Sequence, residues 1–126
     1  MELKIWTKAT GGISAELSDA KNPQTFKAIR SALPIKASVA TWGDEIYFPA
    51  KIKGKKEDQQ PFVEKGDIAY WPPGDSLCIF FGPTPVSMGS EIRPASPVNV
   101  VGKVLGNSEA FRKVKDGDEI VIDKAE

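Results

Sequence analysis

Adjacent aromatic residues, placed on segments with the character of β-strands, constrain this chain more than any other feature. Successive residues of a strand point to opposite faces of the sheet, so each pair sends one ring to either side. A sheet with a single buried face hides only one ring of each pair. We therefore expect the remaining rings to lie beneath a helix or loop, or to line an exposed apolar groove. The pairs are Tyr47-Phe48, Tyr70-Trp71 and Phe80-Phe81.

The length and charge of the chain limit its class. Its 126 residues suffice for a single core, and we predict one domain over residues 1–126. The 17 basic residues balance the 17 acidic ones, which disfavours nucleic acid or an anionic membrane surface as a partner. The N-terminal segment lacks the apolar region of a signal peptide, and lone Cys78 lies in an apolar run that favours a buried, inert thiol. We expect a cytoplasmic protein in a reducing setting.

The chain contains no histidine, and this absence excludes several chemistries. Triads that use a histidine base are impossible, and one cysteine without histidine does not make an ordinary structural zinc site. We predict no metal site and no cofactor.

The pattern of apolar residues predicts about eight strands and two short helices. Asn22 and Pro23 suit the cap and first position of a helix that ends before Pro34, and Asn107 suits the cap of a second helix. The polar segment 51–60 is predicted to be a mobile surface loop. Many short strands with regular turn signals favour a closed antiparallel barrel. The predicted strands are residues 3–7, 13–17, 35–42, 45–48, 67–71, 77–81, 98–105 and 119–123.

Several segments resemble a known family. Residues 12–17 and 23–26 are similar to the opening strand and first helix of cyclophilins. A closer likeness, to the compact cyclophilin-like proteins of bacteria and archaea, rests on residues 41–48, 66–74 and 94–100. The resemblance covers nearly the whole chain. It implies a mainly β fold, a closed eight-stranded antiparallel barrel with two short capping helices.

The resemblance also raises the question of prolyl cis–trans isomerisation. Cyclophilins hold a proline ring in an apolar pocket and aim an arginine at the prolyl nitrogen, which is electrostatic preorganisation by a fixed donor. No arginine lies in residues 45–48, which correspond to the strand that carries the family's arginine. Arg93, in a long loop, is a candidate for that role. The family's pocket phenylalanine and histidine align with Phe81 and Asn99, so the resemblance implies an apolar receptor without the usual catalytic donor.

We predict a binding module whose aromatic groove accepts an extended peptide, proline-containing peptides included, or a small apolar ligand. Tyrosine and tryptophan suit partly wet recognition surfaces, and Glu45 could fix a cation or an amide N–H. Two alternatives stay open: a weak or divergent peptidyl-prolyl isomerase that uses Arg93 or a lysine, and a homo-oligomer whose aromatic face is covered by another copy. The predicted ligand-binding residues are Trp42, Glu45, Tyr47, Tyr70, Trp71, Phe81 and Asn99.

Overall fold

The computed structural model describes residues 1–125, and most of the ordered elements are strands. Within these residues, nine strands form one antiparallel sheet in the order β3-β9-β1-β2-β8-β6-β7-β5-β4. No helix in the described part of the chain is both long and apolar enough to cross a bilayer. The strands are β1 (Glu2–Thr7), β2 (Gly11–Leu17), β3 (Ile35–Ser38), β4 (Ala40–Thr41), β5 (Glu45–Pro49), β6 (Asp67–Trp71), β7 (Ser76–Phe80), β8 (Asn99–Val104) and β9 (Glu119–Lys124). The helices are α1 (Pro23–Ala32) and two 3-10 helices, Pro72–Gly74 and Ser108–Lys113.

The two edges of the sheet belong to one bent segment, which makes the sheet a nearly closed barrel. β3 pairs with β9, β4 pairs with β5, and only Val39 separates β3 from β4. At the bend, the backbone of Val39 bonds to Asp118 and Gly117, in the turn before β9. The predicted fold class, a mainly β antiparallel barrel, is therefore confirmed. The count of nine instead of eight arises because this bend divides the strand predicted over residues 35–42.

Side chains from one face of every long strand pack together as the barrel interior. Alternation is clearest on β1, where Leu3 and Ile5 are buried and their neighbours are exposed. Phe26 of α1 and Phe111 of the second 3-10 helix join the same cluster, so these helices lie over the barrel openings. Two short capping helices are thus confirmed. The second is a 3-10 helix that ends at Lys113.

A second apolar cluster lies on the outer face of β5, β6 and β7. The long loop between β7 and β8 (residues 81–98) covers part of it, and isolated bridges pair that loop with residues 60 and 63. The aromatic pairs divide between the two clusters as expected: Phe48, Tyr70 and Phe81 pack inside, and Tyr47, Trp71 and Phe80 pack outside. Phe80 is covered completely, whereas Tyr47 and Trp71 stay partly exposed.

The N-terminus of α1 is capped differently from the prediction. Asn22 holds the cap position, but its side chain makes no capping bond; it donates to the Val100 carbonyl (2.8 Å) and accepts from the Asp58 amide (2.7 Å). The Glu57 carboxylate instead accepts from the amides of Gln24 and Thr25, both at 3.0 Å. These bonds tie down the segment predicted to be a mobile loop, because an anion satisfies the free N–H groups of a helix start.

Candidate functional site

An apolar cavity of about 220 Å³ opens on the outer face of the barrel. Its floor is formed by Tyr47 on β5 and Cys78 on β7, which are directly paired across the sheet. Glu45 lies two residues before Tyr47 and therefore points to the same face. The long loop supplies the opposite wall. The lining residues are Trp42, Glu45, Tyr47, Trp71, Cys78, Pro94, Ala95 and Val98.

Trp42 reaches the cavity from the tight turn that joins β4 to β5. Its amide donates to the Glu45 carbonyl (2.9 Å), and Gly43 takes a φ of +60°, in the left-handed region that favours glycine. The next residue, Asp44, pairs its carboxylate with the Arg112 guanidinium at 2.8 Å. The turn is thus held from both sides, which fixes the position of the Trp42 backbone.

Trp71 is held at two edges of its indole ring. Its Nε1 donates to the Ser96 hydroxyl of the long loop at 2.7 Å. The benzo edge lies against Gly74, where a Cβ would approach the Cζ3 atom of Trp71 to 2.5 Å. A ring restrained in this way loses little entropy when a ligand packs on it.

Glu45 is the charged residue of the cavity. It is only 5% exposed, and its Oε1 has no hydrogen-bond partner among residues 1–125. Burial raises the pKa of its carboxyl from 4.5 to about 7, an effect that a hydrogen bond with the Cys78 thiol partly offsets. A buried carboxylate oxygen without a donor is costly, and carboxyls with raised pKa values on cavity walls are common at functional sites of proteins in general.

Cys78 is buried, as predicted, and burial raises the pKa of its thiol well above the ordinary value. The negative charge of Glu45 acts in the same direction. Cys78 is therefore a protonated thiol and not a nucleophile near neutral pH.

Three of the predicted ligand-binding residues lie outside this cavity. Tyr70 points into the barrel, where its hydroxyl donates to Asp75 (2.6 Å) and accepts from the Gly54 amide (2.9 Å). Burial, followed by the bond to Asp75, raises the pKa of Tyr70 to about 12. Phe81 packs inside the barrel, and the Arg112 guanidinium lies 5.2 Å from its ring centre. Neither ring reaches the cavity because each belongs to the inward-facing set.

Asn99, the third of them, is fully buried in the contact between α1 and the segment before β6. Its amide nitrogen donates to the Thr25 hydroxyl (3.0 Å) and the Lys55 carbonyl (2.8 Å). Its amide oxygen accepts from the Glu57 backbone at 3.2 Å. These bonds use the polar groups of the side chain to hold the polypeptide together.

None of the three arginines, all of which lie within the described residues, lines the cavity. Arg93 stacks over the Phe62 ring at 5.0 Å and pairs with Glu91 at 3.5 Å. It lines a neighbouring depression that shares Pro94 and Ala95 with the cavity. Its guanidinium is therefore directed towards that depression.

The structure brings together Trp42, Glu45, Tyr47 and Trp71, four of the seven predicted residues. Sequence reasoning missed Cys78 and the three residues on the loop side, Pro94, Ala95 and Val98. The alternation of β7 could have found Cys78, because it shares a face with Phe80 and not with Leu77 or Ile79. No local pattern marks the loop residues.

The nearly closed antiparallel barrel with short helices over its openings defines the fold class of this chain. The family model described as "Cyclophilin-like" matches residues 1–123. The chain therefore belongs to the cyclophilin-like family, which confirms the resemblance inferred from its sequence.

The solved structures that share the fold with this chain include the following two. The hypothetical protein AF2241 from Archaeoglobus fulgidus is 43% identical, with a TM-score of 0.84 over 99% of this chain and 95% of that chain. The structure of McbB in complex with tryptophan is 15% identical, with a TM-score of 0.72 over 97% of this chain and 44% of McbB. At that identity, the likeness to McbB shows a common fold alone. Among curated proteins, none matches this chain.

Proposed function

We propose that this protein is a binding module that takes a small, largely apolar ligand into the cavity between β5, β7 and the long loop. The observation that carries the proposal is the apolar cavity of about 220 Å³ walled by Trp42, Tyr47 and Trp71. Ligand sites are typically concave and apolar, with a few polar groups that fix orientation. Here Glu45 is such a group.

The volume favours a compact ligand over a long one. Cavities for drug-sized ligands are about 300–1,000 Å³, so this one suits a single ring or one branched side chain. Binding is favoured over prolyl isomerisation because Arg93 is engaged with Phe62 and Glu91 outside the cavity. The cavity itself offers no guanidinium to a prolyl nitrogen.

An extended peptide is a second candidate ligand, and one observation favours it. The cavity and the depression beside Phe62 and Arg93 share a wall made of Pro94 and Ala95. A peptide that crosses this wall would place one side chain in each, as extended peptides do on surfaces with successive pockets. Such a peptide would need both sites, whereas a compact ligand needs only the cavity.

Mapping of amide chemical shifts with a panel of small ring compounds and short peptides tests the proposed function. We expect shifts in residues of β5, β7 and the long loop, and we expect Trp42→Ala to reduce affinity because it removes one aromatic wall. Trp6→Ala is the matched control, since Trp6 is 42% exposed on β1 and does not line the cavity. Shifts that persist unchanged in Trp42→Ala, or that lie elsewhere on the barrel, would contradict the proposal.

A further inference from the structure

We propose that the ligand of this cavity is a protonated organic amine, bound with its N–H towards Glu45 and its carbon skeleton against the three aromatic walls. This inference rests on the proposed function, because it assigns a chemical class to the ligand of the same cavity. It follows from one cavity that is lined both by Glu45, which has a buried carboxylate oxygen without a donor, and by the rings of Trp42, Tyr47 and Trp71.

The unpartnered atom sets the first requirement. Oε1 of Glu45 is buried and has no donor among residues 1–125, while the residue as a whole is 5% exposed. Leaving a buried acceptor without a donor destabilises the protein, and more so when the group is charged. A ligand in the cavity that brings an N–H to the Glu45 carboxylate, with a small rotation of the side chain that turns Oε1 towards it, recovers this loss. A quaternary ammonium has no N–H and cannot do so.

The aromatic walls set the second requirement. Indole and phenol rings attract cations through the negative faces of their π systems, and the attraction grows when water is excluded. The same rings supply apolar area for the carbon skeleton of an amine. A cationic head with an apolar body therefore matches both kinds of surface in the cavity.

The charges around Glu45 leave it free to accept a cation. On β5, Tyr47 is the next residue on the same face, and on β7 the Cys78 thiol is held in its neutral form by burial. Asp44, in the preceding turn, is already paired with Arg112. In the long loop, Arg93 is turned towards Phe62 and Glu91. No cation of the described chain therefore occupies the position next to Oε1.

A matched pair of probes separates charge from shape. Cyclohexylammonium and cyclohexanol have the same ring, and the amine stays protonated near neutral pH because alkylamines titrate near ~10.4, as lysine does. At pH 8 we expect cyclohexylammonium to bind roughly 10- to 100-fold more tightly than cyclohexanol, the range for a hydrogen bond to a charged group. Calorimetric titration measures both affinities.

The pH dependence reports the group responsible without a mutation. The Glu45 carboxyl has a pKa of about 7, so its ionised fraction falls as the pH is lowered through that value. As the pH falls below 7, affinity for cyclohexylammonium should fall by up to about tenfold for each pH unit until it reaches that of cyclohexanol, whose own affinity should not change. In Glu45→Gln, which removes the charge and keeps the shape, the ratio of the two affinities should collapse towards one.

The outcomes distinguish this inference from the proposed function. A preference for cyclohexylammonium that disappears at low pH and in Glu45→Gln supports it. Equal or tighter binding of cyclohexanol in the cavity would overturn the amine assignment and leave the small-ligand function standing. If neither probe nor any other ring compound binds, both are wrong.

Discussion

Gly74 shows how a single residue controls the candidate site. A Cβ at this position would lie 2.5 and 2.6 Å from Cζ3 and Cε3 of Trp71, closer than real contacts allow. The opposite edge of the indole is bonded to Ser96, so the ring has to tilt as a rigid body. We expect Gly74→Ala to destabilise the fold by about 1–3 kcal/mol, the usual cost of overpacking, and to weaken ligand binding. Urea denaturation and tryptophan fluorescence measure the two effects.

Gly89→Ala is the matched control for this substitution. A Cβ at Gly89 would approach only the Glu91 carboxylate, at an ordinary 3.5 Å. We expect it to change neither stability nor fluorescence by much, since surface substitutions of this kind are usually within about 0.5 kcal/mol. If the two variants behave alike, Gly74 does not position Trp71.

The N-terminus of α1 is stabilised by a residue more than 30 positions along the chain. The sequence of the helix itself does not contain this cap. Glu57 accepts hydrogen bonds from two backbone amides of α1 and from the Thr25 hydroxyl. Burial opposes ionisation, yet these bonds together lower the pKa of Glu57. We expect Glu57→Ala to lower the free energy of unfolding by about 1 kcal/mol, the usual value of a lost cap. Urea denaturation at pH 7 measures this loss.

Asp58→Ala provides the comparison at the neighbouring position. Asp58 is exposed, and only its backbone N–H, which the substitution keeps, bonds to Asn22. We expect a much smaller loss of stability than for Glu57→Ala. Equal losses in the two variants would show that the capping bonds contribute nothing beyond the loss of a charge.

The difference between local and long-range contacts explains which features of the strands and helices the sequence could predict. Alternation along β5 places Tyr47 and Phe48 on opposite faces of the sheet. That part of the site was predictable from the sequence because the rule concerns neighbouring residues only. The cap from Glu57 and the amide bonds of Asn99 join segments distant in sequence. The sequence therefore placed Asn22 correctly at the cap position but did not show that Glu57 makes the capping bonds, and it did not show that Asn99 is used within the fold. Pro94 and Ala95 reach the cavity only because the long loop folds back over the sheet.

At the scale of the whole molecule, the carboxyls with shifted pKa values should make the free energy of unfolding fall at both low and high pH. Glu57 and Asp116 have pKa values lowered by their hydrogen bonds, so the stability they contribute is present above the ordinary carboxyl pKa and is lost as the pH falls. Glu45 acts in the opposite sense, because burial raises its pKa from 4.5 to about 7. Its contribution is complete below pH 4.5 and is lost as the pH rises through about 7. Without ligand, we therefore expect stability to be greatest near pH 5, between the two ranges.

Glu45→Gln tests this pH dependence of stability, since the glutamine amide is uncharged at every pH. Between pH 5 and pH 8 the unliganded protein should lose about 2.5 kcal/mol of unfolding free energy relative to the variant, which is most of the equivalent of the Glu45 pKa shift. Glu2→Gln, on the exposed side of β1, is the control and should follow the parent protein at both values. Urea denaturation at each pH gives the free energies. If the parent protein loses no more stability than Glu45→Gln between pH 5 and pH 8, Glu45 is solvated in solution. The charge that the cavity offers to an amine would then be no stronger than that of a surface carboxylate.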